Sequence, residues 1–166
     1  MSKIAFITGA SSGIGAACAR KFAKEGHTLL LNARSTDKLK ALKTELETTY
    51  GTDVLLLPFD VRDREAAARA LATLPEPYQA IDVLVNNAGL ALGMDKEYEG
   101  TEENYDTMIE TNITALLMIT RLVVPGMVNR GKGHIINIGS VAGDAAYPGG
   151  SGYCATKAAV KVLSDG

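Results

Sequence analysis

The sequence predicts an α/β fold, a doubly wound parallel sheet with helices on both faces. Five short, nearly continuous apolar runs recur along the chain, and stretches with helical spacing separate them. A glycine-rich turn joins the first run to the first helix, which is the connection that parallel strands with helical crossovers need. At 166 residues the chain has the length of one domain, 1–166, and a core of this size takes roughly two-thirds of the unfolded surface out of water.

The elements follow in order. "KIAFIT" (3–8) is the first strand, and "TGASSGIG" from Thr8 to Gly15 turns the chain sharply into the first helix. "HTLLLNA" (27–33) is the second strand. The segment 36–49 places Leu39, Leu42 and Leu46 on one stripe with Lys and Glu opposite, as an amphipathic helix requires. "DVLLLPF" (53–59) is the third strand, and the alanine-rich "DREAAARALATL" after it carries acids in its first turn, where a helix dipole favours them. "PEP" at 75–77 reads as a surface loop, "IDVLVN" (81–86) as the fourth strand, and "GMDKEYEGTEE" at 93–103 as a second loop. The segment from Glu102 to Asn129, with Met108, Ile109, Leu116, Leu117, Ile119 and Val123, predicts a buried helix along the sheet, ended or bent near the Pro-Gly pair at 125–126. "HIINIG" (134–139) is the fifth strand. Apolar runs of this kind suit strands covered on both faces.

Composition excludes several classes of function. Hydrophobic residues are 46% and charged residues 22%, close to the soluble globular average. Seventeen Lys and Arg against nineteen Asp and Glu, with no basic block, argue against nucleic acid or an anionic membrane surface as a partner. Cys18 and Cys154 are isolated thiols without a CxxC or clustered His, so neither a disulfide nor zinc is expected. His27 and His134 each open a strand with no acid or hydroxyl at a telling spacing, and read as structural. The N-terminal apolar run is too brief for a signal peptide core or a membrane span, and a cytoplasmic location is expected.

The glycine turn points to a ligand. Gly9, Gly13 and Gly15 fall where the chain must turn, bare its backbone N–H groups and press the helix close on the strand, so a pyrophosphate can sit at the positive helix end. The spacing, G-x-x-x-G-x-G, differs from G-x-G-x-x-G, and a turn that binds nothing is the plain alternative. At the end of the second strand, where an acid would grip a ribose 2'-hydroxyl, the chain reads Ala33 and then Arg34. A guanidinium holds a 2'-phosphate bidentately where an acid repels it, which favours NADP over NAD; a solvated strand-end charge is the other reading of Arg34. "FDVRD" (59–63) and "NNAG" (86–89) follow strands at the same carboxyl edge. There Asp60 can accept from an adenine amino group, and Asn86 and Gly89 can let the backbone approach the ribose.

Tyr153 and Lys157 are i and i+4 in "YCATK", on one face of a helix. A free phenol has a pKa of about 10, and lowering it by about two units takes some 2.7 kcal/mol, which a close ammonium plus an oxidised nicotinamide can supply. Ser140 ends the strand "HIINIG" thirteen residues before Tyr153, so that hydroxyl, phenol and ammonium should meet over a nicotinamide. Asn112, in "ETNITALL", is an amide among apolar neighbours, either satisfied by backbone or fixing a water beside the lysine.

With "TGASSGIG", "NNAG", Asn112, Ser140 and "YCATK" in this order, residues 3–166 resemble the short-chain dehydrogenase/reductase family, and "NNAGLALGMD", "PGMVNRGKGHIINIGS" and "YPGG" are similar to its NADP-dependent 3-hydroxy acid and serine dehydrogenases. The resemblance implies a Rossmann-type fold and an NADP-dependent oxidoreductase. Tyr153 would be its general acid/base, Lys157 would lower the pKa of Tyr153 and hold the cofactor ribose, Ser140 would orient the substrate oxygen, and Asn112 would support a relay water. Its cofactor set would comprise Gly9, Ser11, Ser12, Gly13, Ile14, Gly15, Arg34, Asp60, Val61, Asn86, Ala88, Gly89, Tyr153 and Lys157. The implied reaction moves a hydride between the nicotinamide and a small hydroxy acid or related carbonyl; 3-oxoacyl thioester reduction and a non-catalytic nucleotide-binding fragment are the alternatives. Ala115 stands where the family often has glycine. Relatives continue through two further strands and a substrate-covering segment, so the chain is expected to be the N-terminal part of a longer domain, lacking the C-terminal strands and forming tetramers or dimers when whole.

Overall fold

The computed structural model describes residues 2–166. Five strands form one parallel sheet: β1 (Ile4–Ile7), β2 (Thr28–Ala33), β3 (Val54–Pro58), β4 (Ile81–Asn86) and β5 (His134–Asn137), in the order β3-β2-β1-β4-β5. The chain winds outward from β1 to β3, then returns to the other side of β1 for β4, so the winding direction reverses between β1 and β4. Ligands of open α/β sheets bind at the carboxyl ends of the strands flanking such a reversal.

Two apolar layers sandwich the sheet because alternate strand residues point to opposite faces. On one face Ala5, Ile7, Leu29 and Leu31 meet Ala16, Ala19 and Ala23 of α1 (Gly13–Lys24) and Leu39, Leu42 and Leu46 of α2 (Thr36–Tyr50). On the other, Ile4, Phe6, Leu30 and Leu84 meet Ala67 of α3 (Arg64–Ala72) and Ala115, Ile119, Val123 and Met127 of α5 (Ala115–Arg130). The Asp63 carboxylate caps α3 by accepting from the Ala66 N–H at 2.9 Å, and Gly51, in the left-handed conformation at φ 63°, ends α2.

The long helical segment departs from expectation in two ways. Helix α4 (Glu102–Ile109) passes through a wide π turn at Glu110–Thr114 into α5, and α5 runs through Pro125 to Arg130 instead of ending at the Pro-Gly pair. Val123 and Met127 are buried on either side of the proline, and this anchorage to the sheet offsets the missing N–H. The segment is buried only in part: Met108, Leu116, Ile119 and Val123 are covered, whereas Ile109 and Leu117 are exposed. By length and composition, with a mean hydropathy of 1.5 over its most apolar window, Glu102–Asn129 could cross a membrane. In the fold it lies along the sheet.

The sheet has five strands, as expected of a chain without the family's C-terminal strands. β5 is an edge strand with His134 and Ile135 exposed, because no strand lies beyond it among the described residues. Residues 76–78 form a short 3-10 turn whose Tyr78 phenol donates to the Asp53 carboxylate at 2.7 and 2.8 Å. Loss of water around the phenol, followed by that hydrogen bond, pushes its pKa up to about 12. A raised folded-state pKa contributes stability that is whole below the unfolded value of about 10 and is lost as pH climbs through the folded value. The stability difference between the native chain and Tyr78→Phe is therefore expected to be constant up to pH ~10 and to shrink between there and about 12 in denaturant titrations. A difference that stays constant over that window would remove this linkage.

Candidate active site

A groove of about 820 Å³ opens across the carboxyl ends of β1, β2 and β4. Its floor is the glycine turn. Gly9 and Gly13 adopt positive φ, and Ser12 caps α1 in an extended conformation without using its hydroxyl on the helix. No acid occupies the first turn of α1, so its N-terminal N–H groups and dipole face the groove uncompensated. A Cβ on Gly15 would lie 2.5 Å from Asn87 Nδ2 and closer still to the Gly9 carbonyl oxygen, which is why α1 can begin so near the turn.

The turn is laced to the loop after β4. Asn87 Nδ2 donates to the carbonyls of Thr8 (3.0 Å) and Gly9 (3.1 Å), while the N–H groups of Asn87 and Ala88 donate to Thr8 Oγ1 at 3.1 and 3.0 Å. These bonds hold the phosphate cradle and the opposite wall at a fixed separation.

The groove wall contains Ser11, Ser12, Ile14 and Arg34, and then Asp60, Val61, Ala88 and Gly89, as the sequence led us to expect. Asn86 is displaced from that set. As the last residue of β4 it points into the scaffold, where Nδ2 donates to Thr120 Oγ1 and Asn137 Oδ1, both at 2.9 Å; the next residue, Asn87, faces the groove. Gly15 is buried under the turn and off the wall. Lys38, Arg62 and Thr111 also line the groove and were not anticipated. The opposite charges in Asp60-Val-Arg62 were the available signal for Arg62. Arg34 and Lys38 make no ion pair among the described residues, so both cations remain available to an anion.

Helix α6 (Ser151–Asp165) brings Tyr153 and Lys157 to the far end of the groove. Tyr153 also lines a second, small cleft of about 30 Å³, walled by Met94, Asp95, Tyr105 and Tyr147. Tyr153 is thus common to the walls of the groove and the cleft. Lys157 Nζ lies 5.9 Å from the Tyr153 ring centroid and donates to the Ile138 carbonyl at 2.8 Å. Burial depresses the Lys157 pKa, and no carboxylate pairs with it among the described residues.

Ser140 follows β5 and caps the short turn 141–143, its Oγ accepting from the Ala142 N–H at 3.2 Å; it makes no hydrogen bond to Tyr153 among the described residues. That turn sits against α6 because Gly143 has no Cβ, which would fall 2.8 Å from the Lys157 carbonyl. Asn112 lies in the π turn, 2% exposed. Its Oδ1 accepts from the Leu90 N–H at 2.9 Å, and its Nδ2 donates to the Leu90 carbonyl at 2.8 Å and to Thr156 Oγ1 at 2.9 Å. It is therefore a brace between the loop after β4 and α6, satisfied by the protein alone.

An anion cradle at a helix N-terminus, the unpaired cations Arg34 after β2 and Lys38 in the first turn of α2, and a winding reversal beneath them define a dinucleotide-binding Rossmann-type α/β fold. The chain belongs to the short chain dehydrogenase family, whose profile matches residues 3–166. It is 48% identical over 161 residues to the NADP-dependent 3-hydroxy acid dehydrogenase YdfG of Salmonella typhi, which covers 97% of this chain and 63% of that protein. The solved serine dehydrogenase from Escherichia coli is 46% identical with a TM-score of 0.92, covering 97% of this chain and 73% of that one. A closed form of serine dehydrogenase complexed with NADP+ matches at 46% identity and a TM-score of 0.90, covering 97% and 63%. The chain thus spans about 63% of the length of the curated relatives it matches.

Proposed function

We propose that this protein is an NADP-dependent oxidoreductase acting on a small hydroxy acid, a 3-hydroxy acid or serine, or on the related carbonyl compound. One observation carries the reading: Tyr153 belongs at once to the wall of the large groove and to the wall of the small cleft, the position that a proton donor between cofactor and substrate requires. The relatives named above, and the cofactor in one of their structures, support NADP in particular. When bound, NADP supplies the ring carbon that takes or gives the hydride.

The chain's own residues supply the rest. Tyr153 exchanges a proton with the substrate oxygen, and the Lys157 ammonium, held by the Ile138 carbonyl, sets a positive charge beside its ring. Ser140 orients that oxygen by hydrogen bonding. Asn112 braces the loop at Leu90 against α6, which fixes the height of Gly89 beneath the ribose.

The test is an assay of the full-length protein with NADP+ against serine, 3-hydroxybutyrate and 3-hydroxyisobutyrate, and with NADPH against a 3-oxoacyl thioester. Turnover of at least one hydroxy acid, faster than of the thioester, is expected. Tight NADPH binding without oxidation of any hydroxy acid would reject this function.

A further inference from the structure

Asp60 raises a problem for a groove that takes a 2'-phosphate. Asn32 Nδ2 donates to the carbonyls of Leu57 and Phe59, both at 2.9 Å, and so ties the end of β2 to the end of β3. This brings Arg34 and Asp60 onto one wall. A carboxylate there repels a phosphate and competes with it for the Arg34 guanidinium.

Arg62 answers both effects. Its backbone N–H donates to Asp60 Oδ1 at 2.9 Å, its Nε to Oδ1 at 3.2 Å and Oδ2 at 3.3 Å, and its Nη2 to Oδ2 at 2.8 Å. The side chains are 33% and 28% exposed, so water screens the pair only in part. We propose that Arg62 is a specificity residue for the dinucleotide: by clamping Asp60 it cancels the acid's charge and leaves Arg34 and Lys38 free for a 2'-phosphate. The inference rests on the NADP reading above.

The hydrogen-bond count fits a second duty of the clamp. Three hydrogens reach the carboxylate: the backbone N–H on Oδ1, the Nη2 hydrogen on Oδ2, and the one Nε–H shared between the two oxygens. With about four lone-pair sites, the carboxylate thus keeps one for a further donor, the kind an adenine amino group offers. Arg62 first, with a smaller pull from Arg34, holds the Asp60 carboxyl below the usual carboxylate range, so it remains an acceptor at neutral pH.

Calorimetric titration of the purified protein with 2',5'-ADP and with 5'-ADP isolates the 2'-phosphate from catalysis. The native protein is expected to prefer 2',5'-ADP, and Arg62→Met to lower that preference roughly tenfold, as loss of a close counter-charge implies. Adding Asp60→Asn to Arg62→Met should restore most of it, since removing the acid removes the need for the clamp. Equal weakening of both ligands by Arg62→Met, an unchanged preference, or a double variant no better than the single one would overturn the inference. A native protein that binds the two ligands equally would instead overturn the NADP reading itself.

Discussion

Tyr153→Phe is expected to lower kcat of the full-length protein by about 10²–10⁴-fold, the range that a positioned general acid or base contributes. The phenol hydroxyl is the one titratable group shared by the groove and the cleft, apart from which the cleft wall offers only Asp95 and other tyrosines. Phenylalanine keeps the ring, its packing on α6 and its place beside the ammonium 5.9 Å from the centroid, so the substitution removes only the hydroxyl that carries the exchangeable proton. NADPH affinity, read by quenching or calorimetry, should change little while turnover collapses. Retention of native kcat would show that the proton travels by another route, and the proposed mechanism would fall with it.

Gly15→Val is expected to have the largest effect on the scaffold. The new Cβ would fall 2.5 Å from Asn87 Nδ2 and nearer still to the Gly9 oxygen, and both belong to the lacing that shapes the phosphate cradle. Relief requires backbone to move, because the Gly9 oxygen has no rotamer to take. Overpacking of this sort costs about 1–3 kcal/mol or more, equivalent to a Tm roughly 2–12 °C lower at this chain length, and nucleotide binding should be lost with it. Gly13→Ala makes the contrast, since its Cβ would meet nothing within 4 Å and only the positive φ of 52° opposes it. That strain costs about 1 kcal/mol. Thermal melts and NADPH titrations of the two variants check the order, and equal losses would show that conformation, not contact, is what position 15 demands.

The parts of the fold that were legible in the sequence are those set by local pattern. Apolar runs such as "TLLLNA" became strands because they bury both faces, and the stripe of Leu39, Leu42 and Leu46 became the covered face of α2. The glycine turn was legible because few other chain conformations use three glycines between a strand and a helix. What escaped depends on partners distant in sequence. Which of Asn86 and Asn87 faces the groove is decided by the exact residue at which β4 ends, and by Thr120 and Asn137 accepting the first amide. The continuation of α5 through Pro125 depends on the sheet beneath Val123 and Met127, a tertiary effect that overrides a local breaker. Exposure of Ile109 and Leu117 follows from the phase of a helix whose period changes midway, which no fixed 3.6-residue template contains. Within the site, the one-turn spacing of Tyr153 and Lys157 was visible, but the anchoring of the lysine by Ile138 was not, because that carbonyl lies on another element.

The π turn has a consequence of its own. One surplus residue in a helix rotates everything after it by about 100° relative to everything before it. Met108 therefore faces the start of α6, while Ala115, Ile119 and Val123 face the sheet, although all sit on one unbroken rod. The rod works like a camshaft with two lobes set at different angles on a single axle: one lobe seats α6, the other seats the strands, and Asn112 is keyed in at the joint. The angle between α6 and the sheet is thereby cut into the backbone of one continuous segment.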